Sequence, residues 1–213
     1  MILAAGRGER MRPLSDTTPK PMLRVQGQPL IERLVVGLVH SGITRLVVNL
    51  AWLGSTIREY LGNGARYGAS IDYSEEKPHA LETAGGIFRA LPLLGPGPFV
   101  VVNGDVFTDY PFERLELDAA RDAHLVLVAN PPHHPGGDFS MNAGLAAADG
   151  HPRYTFAGIA AYRPEFFAGC SDGTFPLKPL LLRAMALERC GAELYTGRWD
   201  DVGTPDRLAA LDG

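Results

Sequence analysis

The stretch Met1 to Pro21, MILAAGRGERMRPLSDTTPKP, decides how this chain is read. Met1 to Ala4 is a short apolar run of the buried-strand kind, and it breaks at once into Gly6 and Gly8. A strand ending in a loop without bulk lets backbone N–H groups approach a polyphosphate, because no Cβ intervenes and positive φ is allowed. Arg10 and Lys20 bring positive charge to the same stretch. Two familiar phosphate loops do not fit it. A Walker A loop needs Gly-Lys-Ser/Thr after four intervening residues, and a dinucleotide fingerprint needs a third glycine where Met11 stands.

Beyond the Pro-Lys-Pro turn, Gln28 to Ser41 carries Leu30, Ile31, Leu34, Val35, Leu38 and Val39 at helical spacing, with Pro29 placed for the first turn. Arg45 to Leu50 reads as a buried strand and Ser55 to Leu61 as a helix capped by Ser55. Ala69 to Ser74 is a third strand, Thr83 to Leu93 another helix, and Phe99 to Val102 a strand that runs into Asn103-Gly104-Asp105. This alternation predicts an α/β fold with a Rossmann-like, doubly wound, mostly parallel (mixed) sheet, whose ligands bind beyond the carboxyl ends of the strands. Gly6 and Asp105 each follow a strand and are expected on that rim. The second half is less regular. His124 to Ala129 and Tyr154 to Tyr162 read as strands, Asn130 to Gly137 as a loop rich in Pro, His and Gly, Pro176 to Glu188 as a helix, and Glu193 to Val202 as one extended segment. Residues 1–213 are expected to form a single domain, with halves of about 1–110 and about 111–213 sharing one core.

Composition narrows the function. Of 213 residues, 46% are hydrophobic and 21% charged, which suits an ordinary globular core. A net charge of −4 argues against a nucleic-acid groove, which needs a broad basic face, so any phosphate site must be local. Cys170 and Cys190 form no C-x-x-C pair and read as reduced thiols, and no stretch reaches membrane-spanning length. The expectation is a cytoplasmic protein without nucleic-acid or membrane partners, a monomer or small homo-oligomer.

Leu-Ala-Ala-Gly-x-Gly-x-Arg-Met at Leu3 to Met11, followed by Pro-Lys-Pro at Pro19 to Pro21, resembles the signature of the sugar-1-phosphate nucleotidylyltransferases. The resemblance extends over nearly the whole chain and implies a fold of the nucleotide-diphospho-sugar transferase type. It assigns Leu3, Ala4, Ala5, Gly6, Gly8 and Glu9, with Arg10 and Lys20, to the nucleotide. Thr83, Gly85 and Asn103 join them. Thr83 is read either as a hydrogen-bonding partner of the base or as a helix N-cap, with the glycines after it making room for ring and ribose or serving packing. Asn103-Gly104-Asp105 matches the place where the family has a Mg²⁺-binding aspartate. Trp199-Asp200-Asp201-Val202-Gly203-Thr204 resembles the end motif carrying the second metal ligand, here Asp201. Paired carboxylates suit Mg²⁺, a hard ion that prefers oxygen.

The implied catalytic residues are thus Arg10, Lys20, Asp105 and Asp201, and the implied partners are a nucleoside triphosphate and a sugar 1-phosphate. Asn142 and Gly158 fall where relatives bind the sugar. The Glu-Lys-Pro segment that in relatives precedes the strand matching Phe156-Ala157-Gly158-Ile159, and whose lysine holds the sugar phosphate, is absent from that place, with Lys178 as a substitute or a plain surface lysine. His133 and His134 read as part of a solvated loop, and Trp52 as a core residue. Within the family, the compact length, Ala51-Trp52-Leu53-Gly54 and Leu81-Glu82-Thr83 through Phe88 are most similar to the short N-acetylmuramic acid 1-phosphate uridylyltransferases of peptidoglycan recycling, which implies UTP as nucleotide. A mannose-1-phosphate guanylyltransferase and a non-catalytic nucleotide-sugar sensor are the alternatives.

Overall fold

The computed structural model describes residues 1–212. The amino-terminal half contains β1 (Ile2–Leu3), α1 (Leu14–Thr17), the β2–β3 ribbon (Arg24–Val25 and Gln28–Pro29) and α2 (Leu30–His40). It continues through β4 (Arg45–Leu50), α3 (Gly54–Leu61), β5 (Ser70–Glu75), α4 (Glu82–Leu94), β6 (Phe99–Asn103) and β7 (Val106–Thr108). The remainder consists of β8 (Ala123–Val128), β9 (Phe139–Asn142), β10 (Leu145–Ala147), β11 (Arg153–Tyr162), α5 (Lys178–Ala186), β12 (Cys190–Tyr195), β13 (Trp199–Asp201) and α6 (Pro205–Asp212).

Nine strands form the main sheet in the order β5-β4-β1-β6-β11-β8-β12-β10-β9. The first four are parallel, as strand–helix alternation demands, because each crossover helix must return the chain to the same end of the sheet. The expectation of a mostly parallel sheet fails beyond β6. There β11 runs antiparallel to both β6 and β8, and β9 pairs with β10 and with β11, which closes β11, β8, β12, β10 and β9 into a barrel-like ring. The device that allows closure is a two-residue hairpin. Asn142 pairs with Leu145, leaving Ala143 (φ 47°) and Gly144 (φ 76°) as a left-handed turn whose twist matches that of the flanking strands.

Alternation along the strands sorts side chains onto the two faces of the sheet. Leu46, Val48 and Leu50 of β4 join Leu34, Leu38, Ile57 and Leu61 from α2 and α3, whereas Val47 joins Ala84, Ile87 and Ala90 of α4. In the ring, Val126 and Val128 of β8 belong to the first cluster and Leu125 and Leu127 to the second, which α5 covers with Leu181 and Ala184. Some local expectations shift. Ser55 caps nothing: Leu53 is the N-cap of α3, in the left-handed region at φ 50°. The final extended segment divides into β12, inside the sheet, and β13, which pairs with β7 in a separate ribbon.

Candidate active site

The strand order reverses direction of winding at β1, whose neighbours are β4 on one side and β6 on the other. At such a point the loops leaving adjacent strands diverge and open a crevice. Here the crevice has a volume of about 480 Å³, within the range of small-molecule sites. The loop after β1 supplies Ala4, Ala5, Gly6, Gly8, Glu9 and Arg10 to its lining, and Leu3 reaches it from the strand itself. Lys20 follows, and Asn103 and Asp105 come from the end of β6. Glu82 and Thr83, in the first turn of α4, close the opposite side.

Gly8 is required by its backbone. It holds φ +66°, and an added Cβ would stand 3.1 Å from Lys20 Cβ, so the loop can fold over the lysine only without a side chain there. Lys20 forms an ion pair with Asp105 through Oδ2, both side chains largely withdrawn from water. Bringing a lysine and an aspartate together from positions 85 residues apart places a mobile cation and a carboxylate at the mouth of the glycine loop.

Asp201 does not line the crevice, but the β7–β13 ribbon brings it beside Asp105. It pairs with Val106, the residue after Asp105, and the Val202 N–H donates to the Asp105 carbonyl at 3.0 Å. Its carboxylate is held by the Arg207 guanidinium and by His133, whose Nε2 lies 2.9 Å from Oδ1. Neighbouring Asp200 has one buried carboxylate oxygen without a partner, and burial together with the charge of Asp201 holds its carboxyl above the usual carboxylate range. The oxygen donors of Asp105, in the turn before β7, and of Asp201, at the end of β13 opposite Val106, suit a hard divalent cation. Among the described residues no group of three or more His, Cys, Asp or Glu side chains is placed to hold a metal.

Other residues take different places from those expected. Gly85 is not on the crevice lining. It is packed behind it, where a Cβ would come within 2.2 Å of the Gly173 carbonyl oxygen. Gly158 lies against the Asn103 side chain with φ +71°, and a Cβ added there would stand 2.5 Å from Asn103 Nδ2. Asn142 is exposed at the end of β9 and does not line the crevice, and Lys178 is exposed at the start of α5. Thr83 is not the N-cap of α4, a position held by Leu81. Trp52 is half-buried rather than core. Its indole N–H donates to the Ser15 carbonyl at 2.9 Å, and the Arg7 guanidinium stacks on it at 4.4 Å.

Four residues to which sequence reading gave no place in the site also matter. His133, expected only as part of a solvated loop, holds Asp201 together with Arg207, while Asn49 and Glu76 line the crevice although each is almost fully buried. Asn49 is a polar residue in the otherwise apolar run RLVVNL, but Glu76, which follows the mixed strand SIDYSE, carries no such mark in the sequence.

The profile described as Nucleotidyl transferase matches residues 1–150. The chain belongs to the nucleotidyl transferase family. Among similar members is the N-acetylmuramate alpha-1-phosphate uridylyltransferase of Neisseria meningitidis serogroup B, 50% identical over 98% of this chain and 94% of that protein. The protein of the same name from Caulobacter vibrioides is 33% identical over 99% of this chain and 94% of its own length. The crystal structure of HddC from Yersinia pseudotuberculosis shares the fold, with a TM-score of 0.81 at 21% identity over 99% of this chain and 96% of that one. The protein is therefore a nucleotidyltransferase, and membership implies a divalent cation in the reaction.

Proposed function

We propose that this protein transfers the uridylyl group of UTP to N-acetylmuramic acid 1-phosphate, giving UDP-MurNAc and pyrophosphate in peptidoglycan recycling. The observation that carries the reaction type is the Lys20–Asp105 pair beneath the glycine loop, at the point where β1 and β6 diverge. The choice of base and sugar rests on the likeness to the two uridylyltransferases, which extends over nearly the full length of each.

A phosphate oxygen of the sugar 1-phosphate attacks the α-phosphorus of the nucleotide. The new P–O bond forms as the bond to the β-phosphate breaks, and pyrophosphate leaves with the electron pair. The attacking group is already an anion, so no protein nucleophile or base is needed. What the protein must do is bring two anions into line and offset charge on the transferring group. Arg10, on the loop, offers a planar fork of donors to the phosphate tail, and Lys20 offers a point charge near the α-phosphate. Asp105 and Asp201 would hold Mg²⁺, with Arg207 and His133 keeping Asp201 in place. When bound, Mg²⁺ would supply further neutralisation of phosphate charge.

The test is pyrophosphate release from UTP, GTP, CTP and dTTP, each offered with the 1-phosphates of MurNAc, GlcNAc, glucose and mannose. Turnover confined largely to UTP with MurNAc-1-phosphate, and abolished by chelation of divalent cations, is the expected result. A preference for GTP with mannose 1-phosphate would overturn the substrate assignment, and silence across all pairs would overturn the activity.

A further inference from the structure

Asn49 and Glu76 are 3% and 2% exposed, and they join three elements that border the nucleotide crevice. The Ala4 N–H, at the end of β1, donates to Asn49 Oδ1 at 2.7 Å. The Asn49 Nδ2 donates to Glu76 Oε1 at 2.6 Å, and the Leu81 N–H, at the N-cap of α4, donates to Glu76 Oε2 at 2.7 Å. The chain of bonds has a fixed polarity. A backbone donor stands at each end, so the two side chains between them must present an acceptor to Ala4, an acceptor to Leu81, and a single donor–acceptor bond to each other. An amide facing a carboxylate meets that requirement, because the carboxylate is the group with two acceptor oxygens and no proton.

Space around the pair is as constrained as its polarity. A Cβ on Gly86 would lie 2.3 Å from Glu76 Oε1 and 3.0 Å from Asn49 Nδ2, so α4 packs directly on the two groups. Glu76 also borders a second hollow of about 980 Å³ on the far side of Ala5 and Ala80, making it part of the wall between the two spaces.

We propose that Asn49 and Glu76 are positioning residues that set the distance between the glycine loop after β1 and the Glu82–Thr83 turn of α4, and so determine how tightly the nucleotide is gripped and its base discriminated. Neither contacts the reacting atoms. Both oxygens of Glu76 are already committed to protein donors, so the pair acts through Ala4 and Leu81 rather than by reading the base itself. This inference rests on the nucleotide occupying the crevice as assigned above.

The polarity predicts an unusual double-variant result. In Glu76→Gln, either Leu81 N–H or the Asn49 amide faces an NH₂ group, and turning Asn49 over transfers the clash to Ala4. In Asn49→Asp, two carboxylates face each other. When both changes are made together the pattern is restored with the charge moved to the other member of the pair. The carboxylate introduced at position 49 accepts from Ala4 and from the amide introduced at position 76, whose oxygen accepts from Leu81. The experiment measures KM for UTP, KM for the sugar 1-phosphate, kcat, and the ratio of UTP to CTP turnover efficiency for all four proteins.

Each single change is expected to raise the UTP KM roughly tenfold to a hundredfold, the scale of one unsatisfied buried polar group, and to narrow the base preference. The sugar-phosphate KM and kcat stay near the original values, and the double variant returns the UTP KM to within about threefold of the original. Equal losses in the double variant and in the singles, or melting temperatures that fall while every KM stays constant, would overturn the proposal and leave the pair a structural support alone. Calorimetric UTP binding supplies the same comparison for any variant too slow to assay. Failure of the unchanged protein to bind or turn over UTP would count against the assigned nucleotide, which separates that failure from a failure of the relay.

Discussion

Lys20 and Asp105 neutralise each other at the crevice mouth, with side chains 13% and 25% exposed. With the nucleotide seated as proposed, a lysine this far from water would act on its phosphates, because a cation in a low-dielectric site interacts more strongly with developing charge than one in bulk solvent. Lys20→Ala is expected to lower turnover roughly 100 to 1000-fold in the pyrophosphate assay, the scale of one lost transition-state donor. Lys20→Arg should recover little of it, since a planar guanidinium under Gly8 does not replace a compact ammonium. Near-normal turnover in Lys20→Ala would remove the residue from the mechanism. At this scale the sequence was informative about which residues meet. The glycines of the first loop, the lysine between two prolines and the aspartate after β6 were expected at one rim, and they line one crevice. Asn49 and Glu76 could not be placed there in advance, since a relay becomes visible only when residues 27 apart in the chain are placed opposite each other. Nor could the grip of His133 and Arg207 on Asp201, which joins a proline-rich loop to a terminal helix.

Elements of the first half were legible because parallel strands buried on both faces are unbroken apolar runs. Arg45 to Leu50 was bounded correctly from its residues alone. The hairpin of β9 and β10 was not legible, because Phe139–Asn142 and Leu145–Ala147 are short and carry little β-branched character. Its turn also conceals its own signal, since an alanine occupies a left-handed position where glycine or asparagine is usual. Ala143→Gly should therefore stabilise the protein, by up to about 1 kcal/mol if relief of the left-handed backbone outweighs the entropy gained by the unfolded chain. A chemical-denaturation midpoint that falls in this variant would show that the turn is not strained.

For the whole molecule, stability should depend on acid through the ring. His124 of β8 is half-buried opposite Gly191 of β12, and burial lowers its pKa below 6.5, with Glu193 opposing the shift in part. The unfolded chain then binds a proton at a higher pH than the folded one. Stability from this site is complete above 6.5 and declines as pH falls through the folded value. Unfolding midpoints measured across that window should fall with pH, and His124→Gln should flatten the slope; an unchanged slope would place the acid sensitivity elsewhere.

Closure of the ring has a further consequence, for how copies of the molecule meet one another. Because β9 is bonded to both β10 and β11, one flank of the nine-strand sheet has no open row of backbone groups, and β5 is left as the open flank. Open strand flanks are where proteins zip together into fibrils, and β5 carries the charges that discourage it: Asp72 and Glu75 face water, with Arg58 and Lys77 gathered on Glu75. Of the nine-strand sheet's described edges, only this six-residue strand offers a seam to a second copy, and neutralising its charges would expose that seam to pairing.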